Sequence, residues 1–294
     1  ANLVAAGCGQ TAKGELMSGK QRIVASAVYL LLVVLAFVFL VPVVMMLSGS
    51  FKPEDQVLVQ AGRLGRLFAA EFSWFNYRDV FVRVPFARYL FNSAFISLCV
   101  VAGGLLVNSL AAYAFARLQW PGRDRLLLLV VALMIIPLEA IAVPLFYEVT
   151  LLGWRDTYWV QIIPFVANAF SIYLFYTFFL GLPRELEEAA RIDGAGPWRI
   201  FFRIVAPNAK PVFATVAILS FLTQWSALLW PLMVTHSETV RPLPLGMATF
   251  YSLPPLQWGD IFAFGVMMVT PVLLIFVLFQ RWFVQGVATT GVKG

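Results

Sequence analysis

Charge is what this sequence has least of. Asp, Glu, Lys and Arg make up 12% of its 294 residues, about half the ~25% typical of soluble domains. A chain that is 61% hydrophobic with a mean hydropathy of +0.84 lacks the polar surface of a soluble fold, so it reads as membrane-embedded. Histidine occurs once, as His236, with no nearby Cys, Asp or second His to complete a metal site. Cysteine occurs twice. Cys8 and Cys99 lie far apart, and Cys99 sits inside an apolar run, which leaves a disulfide framework and a metal site both unsupported. No nucleophile–base pair or carboxylate pair falls at membrane depth or in the loops, which argues against a membrane-bound enzyme. The net charge of +6 does not point to nucleic acid in so apolar a chain, because excess Lys and Arg there mark cytoplasmic loops.

What is abundant is long apolar stretches. A spanning helix needs about 20 apolar residues, and six segments qualify: 23–47, 91–116, 126–147, 158–180, 211–234 and 261–283. Polar interruptions are few: Asn92, Ser97, Asn108 and Ser109 in the second, Glu139 in the third, Gln161 and Asn168 in the fourth, and Gln224 in the fifth. With a cytoplasmic N-terminus, 13 Lys and Arg fall inside and eight outside, and six of the eight lie in one long loop. This orientation puts both termini, the tails 1–22 and 285–294, in the cytoplasm. Met17 reads as a natural start, so residues 1–16 are expected to be upstream sequence. "VAAGC", ending at Cys8, faintly resembles a lipoprotein cleavage site, but no apolar segment precedes it and lipidation is not expected. The first apolar run is too long for a cleavable signal peptide. The loop of about residues 50 to 88 is long and mixed, and in "EFSWFNYRDVFVRVPFARYLF" aromatics interleave with arginines, the pattern of an amphipathic segment at the outer interface.

One stretch breaks the pattern. Residues 184–210 carry nine charges. At roughly 2.5–3.5 kcal/mol each they would cost more than about 20 kcal/mol in hydrocarbon, so the segment lies outside it. Leu186, Ala189, Ala190 and Asp193 fall at i, i+3, i+4 and i+7 and predict a helix with a compact face. Glu185, Glu187 and Glu188 suit that helix's positive N-terminal end. Gly194 and Gly196 end it, and Pro197 fits the first turn of a second helix. Trp198, Phe201, Phe202 and Val205 are expected to form that helix's apolar stripe. The pair suits either a groove on a soluble partner or the membrane surface, and composition does not separate the two.

"EAARIDGAGPWRIFFRIVAP", Glu188 to Pro207, closely resembles the EAA loop of bacterial ATP-binding-cassette importer permeases. Glu188, Ala189, Ala190, Gly194, Ile204 and Pro207 fall on its pattern, and Ala206 replaces the usual Leu. Colinear segments extend the resemblance over most of residues 20–294 and point to the carbohydrate branch, to the six-helix second permease of maltose-type importers. They include "SFKPEDQV", "NYRDVF", "AYAFARLQWPGR", "MIIPLEAIAVPLF" and the ending "GVKG".

The resemblance implies an all-α integral membrane fold, the type I importer permease, with six transmembrane helices in a domain of 23–284 and a cytoplasmic coupling-helix pair in 184–207. It implies a bacterial inner-membrane subunit that pairs with a second permease, two ATPase subunits and an extracytoplasmic binding protein. The cargo would be a di- or oligosaccharide or a sugar-like solute such as glycerol phosphate. ATP and Mg would sit on the ATPase, with no cofactor on this chain. Glu188, Ala189, Ala190, Asp193, Gly194, Ile204 and Pro207 would engage the ATPase, and the tail Gly291, Val292, Lys293 and Gly294 would reach its interface.

"GELMSGKQ" nearly matches a phosphate-binding loop, but Gln21 stands where Ser or Thr must hold magnesium, and the segment leads into a membrane helix. Glu139 is an ionisable group at membrane depth. It either lines the solute path or pairs with another helix, for example through Asn108 or Asn168. Asn168 and Gln224 are further candidates for the path. A secondary transporter or channel acting without an ATPase is the alternative, but no inverted repeat supports it.

Overall fold

The computed structural model describes residues 19–60 and 72–291. Cys8 and the rest of residues 1–16, and the tail residues Val292, Lys293 and Gly294, lie outside the described residues. Every regular element among the described residues is helical. In chain order they are α1 (Gly19–Gly49), α2 (Glu54–Gln60), α3 (Phe75–Arg83), α4 (Phe86–Arg117), α5 (Arg123–Leu133), α6 (Leu138–Leu151), α7 (Tyr158–Val166) and α8 (Ala169–Leu180). These are followed by α9 (Glu185–Ile192), α10 (Pro197–Ile200), a π segment (Phe201–Val205), α11 (Ala206–Asn208), α12 (Lys210–Trp225), α13 (Leu229–Val234), α14 (Leu243–Tyr251) and α15 (Trp258–Gly291).

Among the described residues, four stretches are long and apolar enough to cross a membrane: Val24–Gly49, Phe86–Arg117, Tyr158–Leu180 and Trp258–Leu278. Two pairs qualify only jointly, α5 with α6, bent by 103°, and Pro197–Asn208 with α12, bent by 80°. Three expected spans, 126–147, 158–180 and 211–234, are each divided between two helices. The segment 126–147 is split because Pro137 disfavours helix at Ile136 and has no N–H to donate. The chain turns over Met134–Pro137 and restarts with Pro137 as the N-cap of α6.

The segment 158–180 breaks at Ala167 and Asn168. Asn168 caps α8, its Oδ1 accepting from the Ser171 amide at 2.8 Å. Asn108 of α4 spans the break, donating to Val166 O at 3.0 Å and accepting from the Asn168 amide at 2.9 Å. One side chain thus satisfies backbone groups that an apolar environment would otherwise penalise. In 211–234, α12 ends at Trp225 and α13 follows separately. The last helix runs past the expected 283 to Gly291.

α4 is the centre of the bundle, packing against α7, α8, α12 and α14. Tyr113, Phe115, Ile172, Phe175, Phe179, Val212 and Val216 form one buried cluster. Phe86, Tyr89, Phe221, Trp225, Phe250 and Phe264 belong to another. α1 packs on α15 but exposes apolar side chains from Tyr29 to Leu40, as a helix facing lipid or another apolar subunit does.

At the end of the bundle opposite α9, the loop 235–242 is held by polar clasps. Asn92 donates to Thr239 O and Arg241 O (3.1 and 2.8 Å), and Gln161 donates to Val240 O at 2.9 Å. Arg83 pairs with the buried Asp260 at 2.8 Å. Asp156 clips the α6–α7 turn to the same loop, its Oδ1 accepting from the His236 and Ser237 amides at 2.8 and 2.9 Å.

Burial pushes the Asp156 carboxyl up, but these donors overcome it and hold the group below its ordinary value. As pH falls, the unfolded chain therefore takes up this proton first. The stabilisation is complete above the unfolded aspartate pKa of about 3.9 and is lost as pH falls through the lower folded value. Asp156→Ala is expected to cost roughly 1 kcal/mol at neutral pH. Its deficit in thermal unfolding in detergent should shrink progressively below about pH 4. A deficit independent of pH would contradict this account of the clip.

Candidate functional site

The charged stretch folds as two short helices with a sharp turn between them. α9 starts with three glutamates in its first turn, where the exposed amides favour negative charge. It ends in a Schellman motif: the Gly194 amide donates to Arg191 O at 3.0 Å and the Ala195 amide to Ala190 O at 2.9 Å. Gly194 has φ +75°, the left-handed conformation that this motif requires and that a Cβ opposes. Gly196 has φ −74° and serves as N-cap of α10, with Pro197 in its first turn.

The expected apolar stripe of the second helix divides. Ile200, Phe201, Val205 and Ala209 are buried against Tyr113 and Phe179. Trp198 and Phe202 are exposed and stack on each other with ring centroids 6.2 Å apart. The physical reason is the π segment, in which the Ala206 amide reaches back to Phe201 O. Its wider turn re-phases the buried face, so the spacing of an ideal α-helix misplaces Trp198 and Phe202.

Within α9, Leu186, Glu188, Ala189, Ile192 and the following Asp193 face solvent, and Ile192 is 87% exposed. Gly194 and Pro207 are exposed too, Ala190 is half-buried, and Ile204 is half-buried in a crevice it shares with Leu182, Leu186 and Glu187. The Glu188 side chain has no bonded partner among the described residues. The tip is therefore an exposed mixture of apolar and acidic groups, on a base buried in the bundle.

Glu187 is the residue that sequence reasoning passed over. It is 4% exposed and lies with its Oε1 3.2 Å from Arg117 Nε. The Tyr113 hydroxyl lies 3.5 Å from Oε2, and Arg191 approaches it at 3.9 Å. Arg117, at the end of α4, also donates to the carbonyls of Phe179 and, at 2.6 Å, Leu182.

Among the membrane-depth candidates, Glu139 sits exposed in the first turn of α6, beside the bend between α5 and α6. The expected pairing with Asn108 or Asn168 is not made; the two asparagines meet each other at the α7–α8 break instead. Asn168 is exposed there. Gln224 is half-buried and donates to Gln161 O at 3.4 Å. The structure does not bond these three to one another. Leu138, beside Glu139, and Phe165, three residues before Asn168, do pack against one apolar cluster around Trp230. Gly291 ends α15.

A profile of the family described as "Binding-protein-dependent transport system inner membrane component" matches residues 104–289. The arabinooligosaccharides transport system permease protein AraQ of Bacillus subtilis (strain 168) is 33% identical over 269 residues, which are 91% of this chain and 95% of that protein. The sn-glycerol-3-phosphate transport system permease protein UgpE of Yersinia enterocolitica is 33% identical over 204 residues, 69% of this chain and 73% of that protein. A solved chain from a bacterial ABC transporter involved in the import of the acidic polysaccharide alginate superposes with a TM-score of 0.82 at 25% identity, covering 90% of this chain and 98% of that one.

The family profile, the relatives and the superposition together make this chain a permease subunit of an ATP-binding-cassette importer. The chain belongs to the family of binding-protein-dependent transport system inner membrane components.

Proposed function

We propose that this subunit carries a sugar across the inner membrane, a di- or oligosaccharide or a sugar-like solute such as glycerol phosphate. In this reading α9 and its turn are the coupling element that a separate ATPase moves. The exposed tip carries the proposal: Ile192 and Trp198 present apolar surface to solvent beside the Glu188 side chain, which bonds to none of the described residues, on a base packed against α4 and α8. Exposed apolar surface rimmed by charge is what a docking surface offers. Glu188, Ala189, Ala190, Asp193, Gly194, Ile204 and Pro207 form or support the surface that seats in the ATPase cleft, and the small side chains permit close approach. ATP and Mg are bound by that ATPase. When the two ATPase subunits close, the socketed helix rocks the spans from inward-open to outward-open. Gly291, Val292, Lys293 and Gly294 extend the contact.

The same reading puts both termini in the cytoplasm, joins α5 with α6 and α12 with its neighbours to make six spans, and pairs the chain with a second permease. An extracytoplasmic binding protein delivers the solute. AraQ's cargo class and the sugar-acid polymer of the alginate importer support carbohydrate, while UgpE supports the phosphate ester.

Glu139, Asn168 and Gln224 line the solute path in this proposal. A broken helix at membrane depth is tolerated where it faces protein or water, and a carboxylate there is a functional group by default. Glu139→Gln is expected to reduce the maximal uptake rate about tenfold, the loss of one hydrogen bond to a charged acceptor, without loss of the bound ATPase. Unchanged uptake would remove Glu139 from the path.

The proposal as a whole is tested by purifying the tagged chain in mild detergent from its native host. A separate ATPase and a second permease should co-purify, identified by mass spectrometry. Recovery of a fully active single chain would overturn the assignment.

A further inference from the structure

A socketed helix moves membrane spans only if it is stiffly joined to them. Within α9 the sole buried side chain is Glu187, and the group it meets is not on a neighbouring loop but at the end of a central span. Arg117 Nε lies 3.2 Å from Glu187 Oε1, while its Nη2 donates to Phe179 O in the last turn of α8 and to Leu182 O just beyond it. Tyr113, one turn earlier on α4, directs its hydroxyl at the other carboxylate oxygen. Arg117 thus ties three elements at one point: its own span, the C-terminal carbonyls of α8, where a cation is favoured, and the coupling helix.

Resting on the reading of α9 as the ATPase-driven element, we propose that Arg117 and Glu187 are positioning residues. They form a buried charged clasp that makes α9 a rigid extension of α4 and α8. The apolar contacts of Ile200, Phe201 and Val205 hold the base in place but can slide. A buried ion pair cannot, because neither group can leave without stranding the other away from water. The same two spans carry Asn108 and Asn168, which together set the α7–α8 break. Motion delivered through the clasp therefore enters the helices that shape the break.

The test uses the whole complex, reconstituted in proteoliposomes with its binding protein and solute, and reads solute imported per ATP hydrolysed. Two variants are compared with wild type: Glu187→Gln, and Arg117→Met with Glu187→Met, which removes both charges and leaves neither one unpaired. The complex should assemble with its ATPase in wild-type proportion and hydrolyse ATP. Import per ATP should fall about tenfold or more in the double variant, because the tie from α9 to α4 and α8 is gone while neither charge is left buried and unpaired, and in the same direction for Glu187→Gln. A purely structural pair would lower the amount of complex, transport and hydrolysis together and leave the ratio intact. An unchanged ratio in both variants overturns the clasp, and so does failure of both to assemble, which would assign the pair to folding. If α9 were not the ATPase-facing element at all, Ile192→Asp would leave the ATPase bound, an outcome separate from any change in the ratio.

Discussion

Gly194→Pro should abolish solute uptake while the chain still inserts and accumulates at the wild-type level. Proline fixes φ near −65°, and Gly194 stands at +75°. Proline also removes the amide that donates to Arg191 O at 3.0 Å, and the second bond of the motif, Ala195 to Ala190, depends on the same turn. An incompatible proline costs ~3 kcal/mol or more, so the population of the correct turn, and with it uptake, should fall more than about 100-fold. Insertion is set by the apolar spans, which Gly194 does not touch. Gly194→Ala supplies the graded control, because a left-handed alanine costs roughly 1–2 kcal/mol and should weaken uptake without abolishing it. Uptake assays paired with quantification of the chain in isolated membranes separate the two effects. Normal uptake by Gly194→Pro at normal abundance would refute a coupling role for the turn.

Ile192→Asp and Trp198→Asp should release the ATPase from the purified complex and leave the second permease bound. Ile192 is 87% and Trp198 66% exposed. Neither belongs to a buried cluster of the described residues, so the chain's own stability should change little. As the apolar anchors of the contact, the two side chains take the place of interface hot spots, which contribute about 2 kcal/mol or more, so each substitution should weaken ATPase retention by roughly 30-fold. The measurement is ATPase recovered per permease after washing in detergent. Full retention by both variants would move the ATPase contact elsewhere on the chain.

The sequence made the helix pair legible because its signals are local. An acidic first turn, a glycine at the C′ position and a proline opening the next helix act within a few residues. The structure contains all three, at Glu185–Glu188, Gly194 and Pro197. The burial of Glu187 was not legible. Glu185, Glu187 and Glu188 share one residue type and one helical turn, and it is Arg117, 70 residues earlier, that pairs with one of them.

The outward turn of Trp198 and Phe202 was hidden for another reason. A π segment changes the period on which the stripe was placed, and nothing in "FFRIV" announces it. The breaks in the spans fall between these cases. Pro137 and the capping residue Asn168 are visible, but an all-apolar helix has no polar face whose phase could show that the helix has stopped. Asn108 reads in the sequence as an interruption of a span or a partner for Glu139, and its place at the break appears only when Val166 and Asn168 are brought beside it.

The claim that α9 and its turn are what the ATPase grips is tested most directly by a photocrosslinking amino acid placed at position 192. That side chain is almost fully exposed and sits at the tip, next to the turn. On irradiation of intact cells, the account predicts one dominant adduct, with the ATPase subunit. The adduct should be lost when Gly194→Pro is added to the same chain. An adduct with the binding protein, or with lipid alone, would place the tip on the other face of the membrane or leave it unsocketed, and either result would contradict the account.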